Sequence, residues 1–289
     1  MNAYHRPTTL AEAWQLAEQP GARFIAGGTD LMVRIRSGQQ TPSALISLRN
    51  IDALRGIRLD KSTTRIGAAT PIADLLGHPD LAIRCPVLVA AARRLAGPQV
   101  RNVATLGGNL CNASPCADTA PPLLVLDAWL RIEGRDGARD VPLEDFFVAP
   151  GQTRLAPGEL LTEICFDTPA AGTRATFLRR SRVRMDVSMA SVAVLLTLEG
   201  GRCLRARLAA GSVAPRPIRL RGVEALLQGH EITDERIAAA RVQTELEITP
   251  ISDVRSSEWY RRRVTGAMVQ RALGELSGVV PADAGGGAP

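Results

Sequence analysis

Two glycine pairs offer the chain's clearest chemistry. The first lies in Phe24-Ile25-Ala26-Gly27-Gly28-Thr29-Asp30-Leu31. The second lies in Thr105-Leu106-Gly107-Gly108-Asn109, which runs on through Leu110-Cys111-Asn112-Ala113-Ser114-Pro115 to Asp118. Glycines beside hydroxyl, amide and carboxylate side chains let backbone N–H groups approach an anion with no Cβ in the way. A helix starting in the loop adds the positive end of its dipole. Thr29 can supply a hydroxyl donor. Asp30 would repel a phosphate aimed at it, so it is expected to cap the following helix or to accept from a ribose or ring donor. Neither loop is G-x-G-x-x-G, and neither carries the Gly-Lys-Ser/Thr of a P-loop, which argues against both of those sites. Two tight turns, or a backbone cradle for a dinucleotide pyrophosphate, both satisfy the pattern.

Little else in the sequence competes with the loops. The five cysteines, Cys85, Cys111, Cys116, Cys165 and Cys203, are odd in number and scattered. They favour a reduced, cytoplasmic setting over a disulfide framework. Cys111 and Cys116 have a C-x4-C spacing but no further close cysteine or histidine, so no metal site is expected. Both are read as buried small hydrophobes. His5, His78 and His230 are read as surface or capping residues.

The elements around the loops follow from pattern and punctuation. Thr8 and Thr9 precede an amphipathic helix over 10–17. A short strand over 23–26 feeds the first glycine pair, and a helix starts at Leu31. A second strand covers 44–48. Residues 57–59 and 64–68 alternate as a hairpin. Thr70 and Pro71 read as N-cap and first residue of a helix, and 86–95 as another helix that Gly97-Pro98 ends. Strands follow at 129–133 and 160–166. Beyond Gly172-Thr173 come three strands, 174–180, 188–198 and 203–210, then helices over 220–227, 234–244 and 256–276.

The chain has 289 residues, 45% apolar, 22% charged and only 3% aromatic, so its core is built mainly from Ala, Leu and Val. Net charge is +6. Residues 1–173 carry 17 basic and 17 acidic side chains, while 174–289 carry 18 and 12, so the whole excess lies in the last part. Such a surplus can face nucleic acid, an acidic partner or an anionic cofactor. Nucleic acid fits worst, because almost no aromatic residues interleave the arginines. No apolar run is long enough to span a membrane. The expected division is 1–172, with subdomains of about 1–55 and 56–172, then 173–280, then a flexible tail over 281–289.

Taken together, the two loops, the segment Leu95-Ala96-Gly97-Pro98-Gln99-Val100-Arg101-Asn102-Val103-Ala104, Ala113-Ser114-Pro115 with Asp118, and the residues from Arg182 to Asp186 closely resemble a known family. It is the FAD-binding (medium) subunit of molybdenum hydroxylases, the xanthine dehydrogenase and aerobic carbon monoxide dehydrogenase family. The resemblance covers nearly the whole chain. It implies an α+β fold: a vanillyl-alcohol-oxidase-type FAD domain of two α/β subdomains, then a C-terminal domain with a small antiparallel sheet and helices. FAD is the implied cofactor, extended between the subdomains. The implied contacts are Phe24, Ile25, Ala26, Gly27, Gly28, Thr29, Asp30 and Leu31 around the pyrophosphate, and Thr105, Leu106, Gly107, Gly108 and Asn109 along the pyrophosphate and flavin. Ser114 is counted with them. Asp118 matches a polar contact near the adenosine half, and Leu95 and Leu161 match apolar contacts to the rings. Arg179 falls where the family often has a lysine near the isoalloxazine, so a permanent guanidinium would replace an ammonium there. Asp186 matches a family aspartate, or forms a salt bridge to Arg182 or Arg184.

The implied role is an electron-transfer subunit with no acid–base catalyst of its own. Its partners would be a molybdopterin-containing large subunit and a small 2Fe–2S subunit, and its acceptor NAD, quinone, oxygen or a carrier protein. The chain lacks the cysteine-rich insertion some relatives carry near the second loop, so no iron–sulfur cluster is expected in it. Two other readings keep the fold: a non-catalytic assembly module, or a self-sufficient flavin oxidase. The oxidase lacks an obvious substrate-side base.

Overall fold

The computed structural model describes residues 3–279. The expected tail over 281–289, and residue 280 before it, lie outside the described residues. The chain packs as two compact units. One takes residues up to Ala82, Leu95–Ser114 and Asp127–Thr168; the other takes Ile83–Arg94, Pro115–Leu126 and the chain from Pro169 on. Two stretches that precede the charge boundary at Gly172-Thr173 therefore belong to the second unit.

In the first unit, the helix Leu10–Ala17 opens on a capping box. Thr9 Oγ1 accepts from the Glu12 amide at 3.2 Å, and the Glu12 carboxylate accepts from the Thr8 amide at 2.8 Å and the Thr9 amide at 3.4 Å. Those donors hold the Glu12 carboxyl below its ordinary range. The helix belongs with a three-stranded parallel sheet in the order Ala3–His5, Ala44–Ser47, Arg23–Ile25. The middle strand is buried along its whole length, as parallel strands covered on both faces are. A five-stranded antiparallel sheet follows, in the order Ile57–Leu59, Thr63–Gly67, Leu160–Asp167, Trp129–Gly134, Gly137–Pro142. Ala13, Ile46, Ile51, Leu54 and Leu160 share one core cluster.

Thr70 is not an N-cap. The helix runs Ile72–Gly77 with Pro71 at its N-cap. The Thr70 hydroxyl instead accepts from the Gly56 amide at 3.0 Å and donates to the Gly56 carbonyl at 3.2 Å. A local helix signal lost to a long-range turn contact that pairs both hydroxyl functions.

The second unit is a four-stranded antiparallel sheet in the order Thr173–Arg180, Ala190–Glu199, Arg202–Gly211, Ile218–Arg219. Helices Arg221–Leu227, Asp234–Glu247 and Glu258–Ser277 complete it. The first seven residues of Ala190–Glu199 are all buried, which is unusual for an antiparallel strand with one wet face. The helix Glu258–Ser277 and the helix Ala120–Val125 both pack against this strand, and Pro86–Arg94 packs on its neighbour Thr173–Arg180. The early helix Ala120–Val125, with Glu258–Ser277, thus accounts for a strand with no polar alternation. Inside the unit, Arg219 and Glu224 form a buried two-pronged pair at 2.6 and 2.8 Å, and the Leu208 amide donates to the same carboxylate at 2.9 Å.

Candidate cofactor site

The first glycine loop leaves the parallel sheet where the Leu48 amide donates to the Ile25 carbonyl at 2.9 Å. Gly28 then takes φ of +71°, the left-handed region where a Cβ is strained. Gly27 is needed for a different reason. A Cβ there would stand 2.1 Å from the Val103 carbonyl oxygen and 2.8 Å from Ala104 Cα. The loop therefore lies directly on the backbone that leads into the second loop. Among the described residues, no acceptor meets the amides of Gly27, Gly28 or Thr29. They form three successive donors at the start of the helix Leu31–Arg36.

Asp30 does not cap this helix with its side chain. It pairs with Arg34 one turn on, at 2.6 Å, and Arg34 also donates to Asn112 Oδ1 at 2.8 Å. Sequence reading passed over Arg34 and Asn112, although the i,i+4 spacing of Asp30 and Arg34 was visible. Together with the Gly27 seat, they tie the two loops to each other.

The second loop begins the helix Leu106–Cys111, capped by Thr105, whose Oγ1 accepts from the Gly108 amide at 3.0 Å. Here the amide-cradle expectation needs correction. The Leu106 amide donates to the Thr70 carbonyl at 3.0 Å and the Gly107 amide to the Ala68 carbonyl at 2.8 Å. Those two donors hold the loop to the 68–70 segment and are not open to an anion. A Cβ on Gly107 would come within 2.7 Å of the Ala68 carbonyl oxygen, so this glycine serves packing. Gly108 differs: it is exposed, and a Cβ there would meet only Thr105 Oγ1, at 2.8 Å. Its Cα faces open space. Thr105→Ala is expected to cost about 1 kcal/mol, the usual loss for an N-cap, read as a small drop in unfolding temperature.

The chain of bonds continues into the antiparallel sheet, because the Ala68 amide donates to the Thr162 carbonyl at 2.9 Å. Leu161, next to Thr162, is buried and pairs with Ile132. Leu95 is also buried, and its carbonyl accepts from Arg101 at 3.0 Å, beside Ala96 at φ of +41°. Ser114 is half-buried. Cys111 and Cys116 are half-buried rather than fully buried as expected. Burial still pushes the Cys111 thiol up to about 12, so it carries no thiolate at neutral pH. A surface cleft of about 630 Å³ lined by Trp14, Arg135, Arg139 and Pro157 includes none of these residues.

Asp118 and Arg179 both belong to the second unit, and they bind each other. Arg179 Nε donates to both Asp118 oxygens at 3.1 Å, with the two side chains 5% and 8% exposed. Burial pushes the Asp118 carboxyl up to about 6, against the attraction of the guanidinium. Arg179 also donates to Ser181 Oγ at 2.9 Å and to the Asp186 carbonyl. The two expected contacts therefore form one place. Opposite ends of an extended dinucleotide are many bonds apart, so Asp118 at the adenosine and Arg179 at the isoalloxazine cannot both stand. Asp186 takes the salt-bridge alternative, with Arg182 at 2.6 Å.

Residues 1–168 match the FAD-binding domain in molybdopterin dehydrogenase, and residues 175–276 match the CO dehydrogenase flavoprotein C-terminal domain. The chain belongs to the family of FAD-binding subunits of molybdopterin-dependent dehydrogenases. It is 34% identical to the xanthine dehydrogenase FAD-binding subunit of Escherichia coli O157:H7, over 94% of this chain and 95% of that one. It is 34% identical to the carbon monoxide dehydrogenase medium chain of Hydrogenophaga pseudoflava, over 93% and 95%. Among solved structures, reconstituted CO dehydrogenase from Oligotropha carboxidovorans superposes with a TM-score of 0.93 at 32% identity, over 97% of this chain and 99% of that one. The family confirms the expected α+β architecture, FAD as cofactor, and a flavoprotein component of an oxidoreductase. No helix of the described residues is long and apolar enough to cross a membrane.

Proposed function

We propose that this chain passes electrons from the 2Fe–2S clusters of a partner subunit, by way of its FAD, to an external acceptor. The molybdenum chemistry belongs to a separate large subunit. The observation that carries the cofactor's place is the row of amides at Gly27, Gly28 and Thr29 without a protein acceptor, set at a helix start. That donor set suits a pyrophosphate. When bound, FAD supplies a two-electron carrier that can be charged one electron at a time. The chain's own residues bind and orient. Gly27, Gly28 and Thr29 hold the anion by backbone N–H groups, and the open face of Gly108 beside Thr105 and Asn109 lets the cofactor approach the backbone. Ser114, Leu95 and Leu161 remain proposed contacts. Asp118 and Arg179 keep their place as one paired polar unit, whose guanidinium would favour negative charge on a reduced ring.

The reading is tested on the complete complex stripped of FAD. Electrons from the substrate should still bleach the partner's clusters, and transfer to the acceptor should be lost and return when FAD is added back. Acceptor reduction at an unchanged rate without FAD would overturn it. The cytoplasm is the expected setting of the complex.

A further inference from the structure

Arg261 is the largest fully buried side chain among the described residues. It lies near the start of the helix Glu258–Ser277, the end of the helix dipole that disfavours a cation. Its Nη1 donates to the Met189 carbonyl at 2.7 Å and to the Ser212 carbonyl at 3.0 Å, and its Nη2 to Asp253 Oδ1 at 2.8 Å. Its surroundings are costly. Arg261 Nε and the hydroxyls of Ser188 and Ser212 are buried without a hydrogen-bond partner. Ser212 holds φ of +66°, a left-handed conformation that strains a side chain. A buried cation adds no more stability than a well-packed apolar side chain would. Unmet polar groups and strain gathered on one guanidinium point to a task other than packing.

The two carbonyls lead to the two halves of the Asp118–Arg179 pair. Met189 closes the loop that follows the strand Thr173–Arg180, since its amide donates to the Arg180 carbonyl at 2.8 Å. Inside that loop, Ser181 Oγ and the Asp186 carbonyl accept from Arg179. Ser212 holds the other half: its amide donates at 2.7 Å to the carbonyl of Pro115, at the start of the segment that carries Asp118. Gly211 seats the same segment, because a Cβ there would stand 2.7 Å from Ser191 Oγ and 3.1 Å from Pro121 Cγ. Ser191 lies opposite both Arg179 and Gly211 in the sheet. One guanidinium thus pins the backbone that offers acceptors to Arg179 and the backbone that bears Asp118. All of these residues belong to the second unit.

Resting on the reading that puts the Arg179 guanidinium at the reduced ring, we propose that Arg261 is a positioning residue. It holds the Asp118–Arg179 pair in place and thereby sets the potential at which the flavin accepts electrons. A guanidinium near the ring favours negative charge there and raises that potential. The strength of this effect depends on distance and on the exclusion of water, so it depends on what fixes the guanidinium. Asp118 takes only Arg179 Nε. The two terminal nitrogens are held by the loop that Arg261 pins through Met189.

The test is a redox titration of the flavin in the full chain loaded with FAD. Arg179→Met should shift the balance at least tenfold toward oxidised flavin, a fall of about 30 mV for a two-electron couple. Arg261→Met should lower the potential by a smaller step. Arg261→Met combined with Arg179→Met should lie no lower than Arg179→Met alone, because Arg261 acts through that guanidinium. Arg261→Lys keeps the charge but offers one nitrogen in place of the two that hold three acceptors, and it should lower the potential too. Where an Arg261 variant fails to fold, Asp253→Ala loosens the guanidinium from its outer side. That change should also lower the potential, although loss of a carboxylate would by charge alone raise it. An unchanged potential in the folded Arg261 variants and in Asp253→Ala, beside a shifted Arg179→Met, would overturn the proposal. So would a fully additive double variant, which would make Arg261 an independent charge. If Arg179→Met itself leaves the potential unchanged, the placing of the pair at the flavin falls, and this inference with it.

Discussion

Gly27→Val is expected to destroy FAD retention and to lower the unfolding temperature together, whereas Gly108→Val should destroy FAD retention with the fold nearly intact. The two glycines look alike in sequence, each in a Gly-Gly pair, but their surroundings differ. At Gly27 the added Cβ falls 2.1 Å from the Val103 carbonyl oxygen, with the Val103 carbonyl carbon and Ala104 Cα next nearest at 2.7 and 2.8 Å. All three are backbone atoms and cannot rotate aside, so one loop must lift off the other. Overpacking of this kind costs about 3 kcal/mol or more, which is roughly 6–12 °C at about 2–4 °C per kcal/mol. At Gly108 the Cβ meets one rotatable hydroxyl, Thr105 Oγ1. Losing that cap costs about 1 kcal/mol, while the new side chain fills the open face. The measurements are flavin per chain after gel filtration and thermal unfolding of each variant. A Gly108→Val chain that keeps stoichiometric FAD would remove that face from the site. A Gly27→Val chain as stable as wild type would contradict the loop-on-backbone seat.

That contrast also marks what a sequence can reveal. The glycine pairs, the strand before the first loop and the helix after it were legible, because turn chemistry and apolar periodicity are local; the helix Leu106–Cys111, which contains the second pair, was not. The division of labour among the glycines was not. Leu106 and Gly107 look like amide donors for a phosphate until Thr70 and Ala68, some 36 and 39 residues earlier, are seen to take those amides. Thr70 itself reads as a helix cap because its partner, Gly56, lies on the far side of the hairpin Ile57–Leu59/Thr63–Gly67. The strand Ala190–Glu199 was legible as a strand but not as one buried on both faces, since its cover comes from Ala120–Val125, far back in the chain. The charge surplus of the last part was equally ambiguous. Arg219 is buried on Glu224, Arg261 on Asp253 and two carbonyls, and Arg179 on Asp118. Part of what composition presents as a basic surface is interior, and only the geometry separates those arginines from Arg180 and Arg184.

The Asp118–Arg179 pair makes the second large prediction. Arg179→Ala leaves a carboxylate in a site where it is only 8% exposed, and breaking a buried pair from one side costs about 3–5 kcal/mol. Replacing both residues by apolar ones, Asp118→Leu with Arg179→Met, should recover most of that loss, because no charge is then left stranded. The pair also has a pH dependence of defined sign. The folded carboxyl titrates at about 6, above its ordinary 3.8. Between those values the unfolded chain has released the proton and the folded chain still holds it, so this group's contribution to stability falls as pH rises from about 4 to about 6 and is flat above. The fall amounts to about 3 kcal/mol at roughly 1.4 kcal/mol per unit. Several carboxylates held low by their partners, Glu12, Glu159 and Asp186 among them, slope the opposite way. The quantity to measure is therefore the difference in urea-unfolding free energy between wild type and Asp118→Asn across pH 4–8. In Arg179→Ala the attraction that opposes burial is gone, so the falling limb should extend beyond pH 6. A wild-type-minus-variant difference that rises across pH 4–6 would mean that the guanidinium outweighs burial, and that Asp118 is a carboxylate fixed low by its arginine.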